Sequence, residues 1–321
     1  MKTLSTFLAC IALTISTASA VLAQSFPNKP IRLIVPFAPG GGVDAVGRAM
    51  AQKIGEGLGQ TVIVENRGGA GGSIATEAVA RATPDGYTLL ITTHGHAIQP
   101  ALQKTPWDPL RDFAPVMQVL SFAFIMTVHP SVPAKSPQEL IAYAKANPGK
   151  LTYGSSWPGG PIHFAMEIFK NVAGIDIVHV PYKGNGPMTA ALIAGEVSMA
   201  MDSMAVSLPQ VRAGKLRGLA VSSTKRWPLA PEIPTLAESA LPGYEEVGWH
   251  GILAPAGTPP EIVARLHREL AKANASPDMR DRLLGLGFEP MINSPDEFTS
   301  RIRADVAKYA KIVRDVGIRG E

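Results

Sequence analysis

The chain has 321 residues, with 30 basic side chains against 26 acidic ones for a net charge of +4, 17% charged residues and a single cysteine, Cys10. That balance is mild and lacks Lys/Arg clusters or aromatic–basic interleaving, which argues against a nucleic-acid partner and leaves room for an acidic small molecule. Cys10 falls inside an N-terminal leader, so the mature chain is expected to carry no thiol, which excludes disulfides, thiolate metal sites and cysteine nucleophiles.

The leader begins with Lys2, continues through an uncharged stretch from Leu4 to Leu22, and ends in two small-x-small patterns, Ala18-Ser19-Ala20 and Val21-Leu22-Ala23. This is the pattern of a secretory signal. Residues 1–23 are read as the signal peptide, with cleavage after Ala23 and delivery to the periplasm. A lipid anchor on Cys10 fits poorly, because half of the apolar stretch still follows it. Beyond the leader no apolar run reaches the roughly 18 residues of a membrane span. The remaining chain of about 298 residues can bury a core of its own, as one large domain or two medium ones.

The mature chain alternates β-rich runs with helical stretches. Strands are predicted at 31–35, 61–65 and 87–91, with helices at about 44–57 and 73–81 between them. Near-continuous apolar strands separated by helices imply a parallel sheet covered on both faces, and hence an α/β fold. The middle repeats the pattern: helix 136–147, strand 151–155, helix 161–173, strand 177–180, helix 186–194, strand 198–202, a short helix near 206–213 and strand 216–221. The apolar segment 113–128 separates these two units. A proline-rich stretch, 223–247, reads as an irregular connection back. Two lobes are therefore expected, 24–124 plus 247–321 and 125–246, joined by crossover strands near 120–128 and 247–253. Helices at about 259–274, 277–285 and 295–316 should pack on lobe one. Ser136, Thr258 and Ser294 each precede a proline and a glutamate at capping-box spacing, marking three helix starts.

The loops that follow the strands carry the chemistry. Pro36-Phe37-Ala38-Pro39-Gly40-Gly41-Gly42-Val43-Asp44 ends a strand and opens a helix. Exposed amides at such a helix start bind anions, helped by the positive end of the macrodipole. Pro39, Gly40, Gly41, Gly42 and Asp44 are candidate ligand residues for that reason. The same stretch also reads as Gly40-x-Gly42-x-x-Ala45 with Glu65 at the end of the next strand, a fair match to a dinucleotide fingerprint. A Rossmann-like dinucleotide enzyme is thus the competing reading, weakened by export and by the lack of a following catalytic constellation. Asn66 to Ser73 forms a second Gly-rich turn without the Gly-Lys-Ser/Thr ending of a phosphate loop.

His94 and His96 flank Gly95 at the end of the third strand. Alternating strand geometry would put both on one side, facing the cleft or an ordinary loop, and no cysteine or carboxylate cluster makes them a metal site. In the second lobe, Ser155 and Ser156 can donate to a carboxylate, Trp157 can stack on an apolar ligand body, and His163 follows in the first helical turn. The spacing Gly154-x-Ser156-x-Pro158 breaks the nucleophile-elbow pattern, so a hydrolase is disfavoured. Tyr182, Lys183 and Gly184 form a third strand-to-helix loop, and Asp202 ends the next strand. All of these segments lie at carboxyl ends of strands, where open α/β sheets bind ligands.

At these residues the chain resembles the Bug family, the periplasmic substrate-binding proteins of tripartite tricarboxylate transporters. The resemblance spans essentially the whole mature chain. It rests on Ile34 to Asp44, Val64-Glu65-Asn66-Arg67, Pro84 to Leu89, Pro181-Tyr182-Lys183-Gly184 and Ala254 to Pro259, in that order. It implies a two-lobed, hinge-closing fold of the type II periplasmic-binding-protein kind, no cofactor and no catalysis. The implied ligand is a small organic carboxylate, held mainly by backbone amides and water, and the implied partners are separate large and small membrane permease subunits. Carried over by position, Pro39 to Asp44 would be the first-lobe loop. Ser155, Ser156 and His163 would be the second, with Tyr182 to Gly184 and Asp202 beside it. The mature protein is expected to be a monomer, and an orphan or sensory role is the alternative within the family. Trp157-Pro158, where glycine is more usual, and His96, where an Asn-type residue is more usual, imply a bulkier and more aromatic pocket than a citrate-type ligand needs.

Overall fold

The structure is a computed structural model that describes residues 26–317; the signal-peptide expectation therefore lies outside the described residues. Its strands are β1 (Ile31–Val35), β2 (Val62–Asn66), β3 (Thr88–Thr93), β4 (Phe113–Val128), β5 (Thr152–Ser155), β6 (Val178–Pro181), β7 (Met199–Ser203), β8 (Arg217–Val221), β9 (Val247–Pro255) and β10 (Glu289–Pro290). The helices that position the site are α1 (Gly42–Leu58), α2 (Ser73–Ala80), α3 (Gly95–Leu102), α4 (Pro137–Ala146), α5 (Pro161–Ala173), α6 (Asn185–Ala194) and α7 (Met204–Arg212). They are followed by α8 (Leu236–Ser239), α9 (Pro260–Ala275), α10 (Pro277–Gly285) and α11 (Pro295–Val316).

The strands lie in the order β2-β1-β3-β9-β4-β7-β5-β6, with β8 and β10 also pairing with β4. β1 pairs parallel with β2 and β3, and β5 pairs parallel with β6 and β7. Each parallel trio is joined by helical crossovers, as the near-continuous apolar strands require. β4 links the two halves. Along 113–123 it pairs antiparallel with β9, and along 124–128 it pairs with β7 and β8. The chain returns at Glu246, whose amide still bonds to Ser222 in the second half, while Val247 already faces Ala123 in the first. Each half has its own core. Ile31, Leu33, Val46, Met50, Leu89 and Ile252 anchor one, and Tyr153, Phe164, Phe169, Leu192 and Met199 anchor the other.

Three expectations are corrected. Thr258 does not cap α9: the second proline moves the helix start to Pro260, and the hydroxyl donates instead to the Pro255 carbonyl at 2.7 Å. By contrast Ser294 forms a complete capping box with Glu297, and Ser136 accepts from the Glu139 amide. α11 does not pack on the first half alone. Its 22 residues span roughly 33 Å at 1.5 Å per residue. Phe298 and Ile302 pack with Trp249 of the first half, while Tyr309 meets Phe164 of the second, ring centroids 5.6 Å apart. Lys308 and Tyr309 also hold the buried Glu246 carboxylate at the return crossover. Finally, the segment after β3 is helical from Gly95, which separates His94 from His96, since successive helical positions turn by about 100° where strand positions alternate.

Candidate functional site

A cavity of about 400 Å³ opens between the two halves. From the first half it is lined by Phe37, Gly41, Gly42, Val43, Gly71 and the β3–α3 turn; from the second by Ser156, Trp157, Gly159, Asn185 and Ser203. Phe122, Phe124 and His250 of the crossover strands and Phe288 complete the wall. Among the described residues no Asp, Glu, Lys or Arg lines it.

The cavity's polar character comes from neutral side chains such as Ser156, Asn185 and Ser203 and from the backbone. Five helices, α1, α3, α5, α6 and α7, begin at its wall, at Gly42, Gly95, Pro161, Asn185 and Ser203–Met204. None of their N-caps (Gly41, His94, Gly160, Gly184, Ser203) uses a side chain to satisfy the first-turn amides. The helices that do have a side-chain cap, α4, α8 and α11, start elsewhere. Uncapped first-turn amides and aligned macrodipoles together favour an anion.

The first-half loop is held rigidly. Gly40 adopts φ +86°, the left-handed region that glycine enters without strain. Its amide donates to Asp44 Oδ2 at 2.9 Å, and Arg48 and Asn66 donate to the same carboxylate. Asn66 also donates to the Phe37 carbonyl. Burial opposes the Asp44 charge, but the bonds from Arg48, Gly40 and Asn66 outweigh it and hold the carboxyl below its ordinary range. Asp44 thus shapes the loop from behind rather than facing the cavity, and Pro39 and Gly40 stand outside the lining while Gly41 and Gly42 form part of it.

In the second half, Ser156 and Trp157 line the cavity, and Trp157 keeps 44% of its surface exposed. Ser155 does not reach it: fully buried, its Oγ lies 2.6 Å from His179 Nε2. His163 is likewise behind the loop. Its Nδ1 accepts from the Gly159 amide at 2.8 Å, which places the proton of the neutral ring on Nε2. The ring stacks on His179 at 4.1 Å, and His179 stacks on Tyr153 at 4.8 Å. Burial, with His179 beside it, pushes the His163 pKa down to about 4. Tyr182 and Gly184 brace the same loop, donating from their amides to the Ser155 and Ser156 carbonyls at 2.9 and 2.8 Å, and Lys183 is exposed outside the cavity wall.

Asp202 is fully buried and does not line the cavity, but it holds two residues that do. It accepts from the Ser203 amide at 2.7 Å and from Asn185 Nδ2 at 3.3 Å, and its other oxygen takes Thr189 and Ser207. Burial raises its pKa to about 6.

His96, expected at the cleft, sits in the first-half core. Its ring stacks on Trp107 at 4.9 Å, lies edge-on to Phe113, and places Nε2 3.3 Å from the Pro109 carbonyl. The helix start at Gly95 turns it inward and leaves His94 at the cavity. His94 and His250 are 1% and 4% exposed, and burial pushes their pKa values to about 4 and about 3. Phe122 lies between them, 5.6 Å from each ring. Of the cavity-lining residues, Phe122, Phe124 and His250 carried no local signal beyond apolar strand pattern, and Phe288, just before β10, carried none. Glu65, the acidic residue of the dinucleotide reading, is engaged by Arg32 and Arg67 at 2.6 and 2.5 Å, so it is not free to take a ribose hydroxyl.

Comparison with known proteins agrees with this geometry. Residues 46–318 match the family described as tripartite tricarboxylate transporter family receptor. A Pseudomonas sp. (strain P51) protein, the UPF0065 protein in the tcbD-tcbE intergenic region, is 37% identical over 94% of this chain and 91% of its own. Protein BugT of Bordetella pertussis is 35% identical over 97% of this chain and 98% of its own. The solved structure of R. palustris Rpa4515 with adipate is 37% identical, covers 92% of this chain and 99% of its own, and superposes with a TM-score of 0.80. With its two-lobed periplasmic-binding-protein fold and a match over most of its length, the chain belongs to the Bug-type tripartite tricarboxylate transporter receptor family, whose members are periplasmic solute receptors.

Proposed function

We propose that this receptor captures a small organic carboxylate in the cavity between its halves and presents it to the membrane subunits of a tripartite transporter, without chemical turnover. The observation that carries this reading is the cavity's electrostatics: among the described residues no charged side chain lies in the wall, and five helices without a side-chain cap begin there. An anion there replaces water on helix-start amides that no N-cap side chain satisfies, and the wall's apolar rings take the rest of the molecule. The adipate held by the R. palustris relative supports a carboxylate.

The functional residues on this reading are Gly41, Gly42, Ser156, Trp157, Asn185 and Ser203 at the cavity wall. Pro39, Gly40, Asp44, Ser155, His163, Tyr182, Gly184 and Asp202 shape the loops behind them. The lobes are 24–124 plus 247–321 and 125–246, hinged where β4 changes partners and where the chain returns at Glu246. Closure is favoured by the ligand to the extent that it binds the closed form better than the open one. The protein is exported with cleavage after Ala23 and acts as a monomer; N-terminal sequencing and light scattering of the secreted protein test those two points. A thermal-shift panel of mono-, di- and aromatic carboxylates tests the function. At least one should raise the melting temperature by several degrees, whereas stabilisation by nucleotides and by no carboxylate overturns the reading.

A further inference from the structure

The cavity holds one feature that an anion on helix amides leaves unexplained. Both ring nitrogens of His94 and Nδ1 of His250 are buried and find no hydrogen-bond partner among the described residues. Buried polar groups are nearly always satisfied, because an unpaired one forfeits its hydration with nothing in return. These two imidazoles come from different places in the chain. His94 caps α3 after β3, and His250 lies in the crossover strand β9. β3 and β9 are antiparallel neighbours with Thr93 opposite His250, and the His94 amide donates to the Trp249 carbonyl at 3.1 Å. That pairing brings both side chains to the same part of the cavity wall, around Phe122.

The surroundings define what fits. Phe122, Phe124 and Phe288 pack edge-on or tilted against the two imidazoles at 5.3–6.3 Å, and Trp157 and Phe37 stand in the same cavity wall. Such a cage receives an aromatic ring in offset or edge-on contact. A neutral imidazole presents one N–H donor and one bare nitrogen acceptor. A hydroxyl, which donates once and accepts as well, can satisfy nitrogens of both kinds.

We propose that His94 and His250 form a hydroxyl-recognition subsite, and that the receptor selects an aromatic carboxylate bearing a ring hydroxyl. This rests on the carboxylate reading above: the carboxylate occupies the helix starts, and the hydroxyl reaches the histidines.

Isothermal titration of the intact mature protein with benzoate, 3-hydroxybenzoate and 4-hydroxybenzoate tests it. At least one hydroxybenzoate should bind about tenfold or more tighter than benzoate, the gain expected when a hydrogen bond satisfies an otherwise unpaired buried group. In His94→Phe and in His250→Phe, made separately, that ratio should fall towards one, and His94→Gln, which keeps a donor and an acceptor, should restore part of it. Imidazole ¹⁵N shifts of His94 and His250 in the wild-type protein supply a readout that needs no variant to fold. They should move with the tighter hydroxybenzoate and not with benzoate. Equal affinities for the three compounds, a preserved ratio in both Phe variants, unmoved imidazole shifts, or binding of aliphatic carboxylates alone each overturn the subsite while leaving the carboxylate reading intact. Failure of every carboxylate to bind overturns both.

Discussion

Acid should destabilise this protein steeply, and the structure says which groups are responsible. His94, His96, His163 and His250 are held neutral by burial, with pKa values lowered to about 4, 4, 4 and 3 from an ordinary 6.5. A histidine whose folded pKa is lowered binds fewer protons in the native state than in the unfolded one between those two values. Its contribution is present above pH 6.5 and is lost as pH falls towards 4. At pH 5.0 each group has lost about 1.5 pH units of that linkage, or roughly 2 kcal/mol, and the four together up to about 8 kcal/mol, of which the raised Asp202 carboxyl, protonated first in the native state, offsets roughly 1 kcal/mol. Against a total stability of about 5–15 kcal/mol this brings the native state close to balance. Urea unfolding at pH 7.5 and pH 5.0 measures the difference directly. His96→Phe isolates one group, because His96 already packs as an aromatic ring between Trp107 and Phe113. The variant should show about 2 kcal/mol less pH dependence than the wild type. Equal urea midpoints at the two pH values, or an unchanged slope in His96→Phe, would refute the assignment.

Three further outcomes are expected. Asp44→Ala removes the acceptor for Gly40, Arg48 and Asn66; carboxylate affinity should fall by about tenfold as the loop loosens, and calorimetry showing no change would mean that the loop holds itself. Trp157→Gly should alter the ranking of carboxylates more than it lowers the melting temperature, since the indole is half exposed at the cavity wall; equal losses for every ligand would remove its role in selection. Gly248→Ala places a methyl against the Phe122 ring on the paired strand. It should cost about 1–3 kcal/mol in denaturant unfolding, as overpacked cores do, and a crystal structure should show Phe122 displaced into the cavity.

Much of this molecule is determined by rules that act within a few residues, and those parts are legible without a structure. The apolar strands, the Gly40 turn and the Ser294 capping box follow from side-chain pattern, backbone freedom and local hydrogen bonding. Even so, Thr258 shows that a correct capping pattern can lose to a second proline. The α3 helix was hidden by the glycine at its start and by Pro100 inside it, both weak helix residues whose cost tertiary packing absorbs. Spacing could bring Gly41, Gly42, Ser156 and Trp157 forward, because a strand-to-helix loop is a local object. It could not tell lining residues from bracing ones. Ser155 and Ser156 are adjacent in the chain, yet the first, the last residue of β5, is pinned to His179, while the second, already in the turn that follows the strand, faces the cavity. The cavity's aromatic wall and the meeting of His94 with His250 belong wholly to the tertiary structure. They depend on β9 returning between β3 and β4, a long-range strand pairing that no short stretch of sequence encodes.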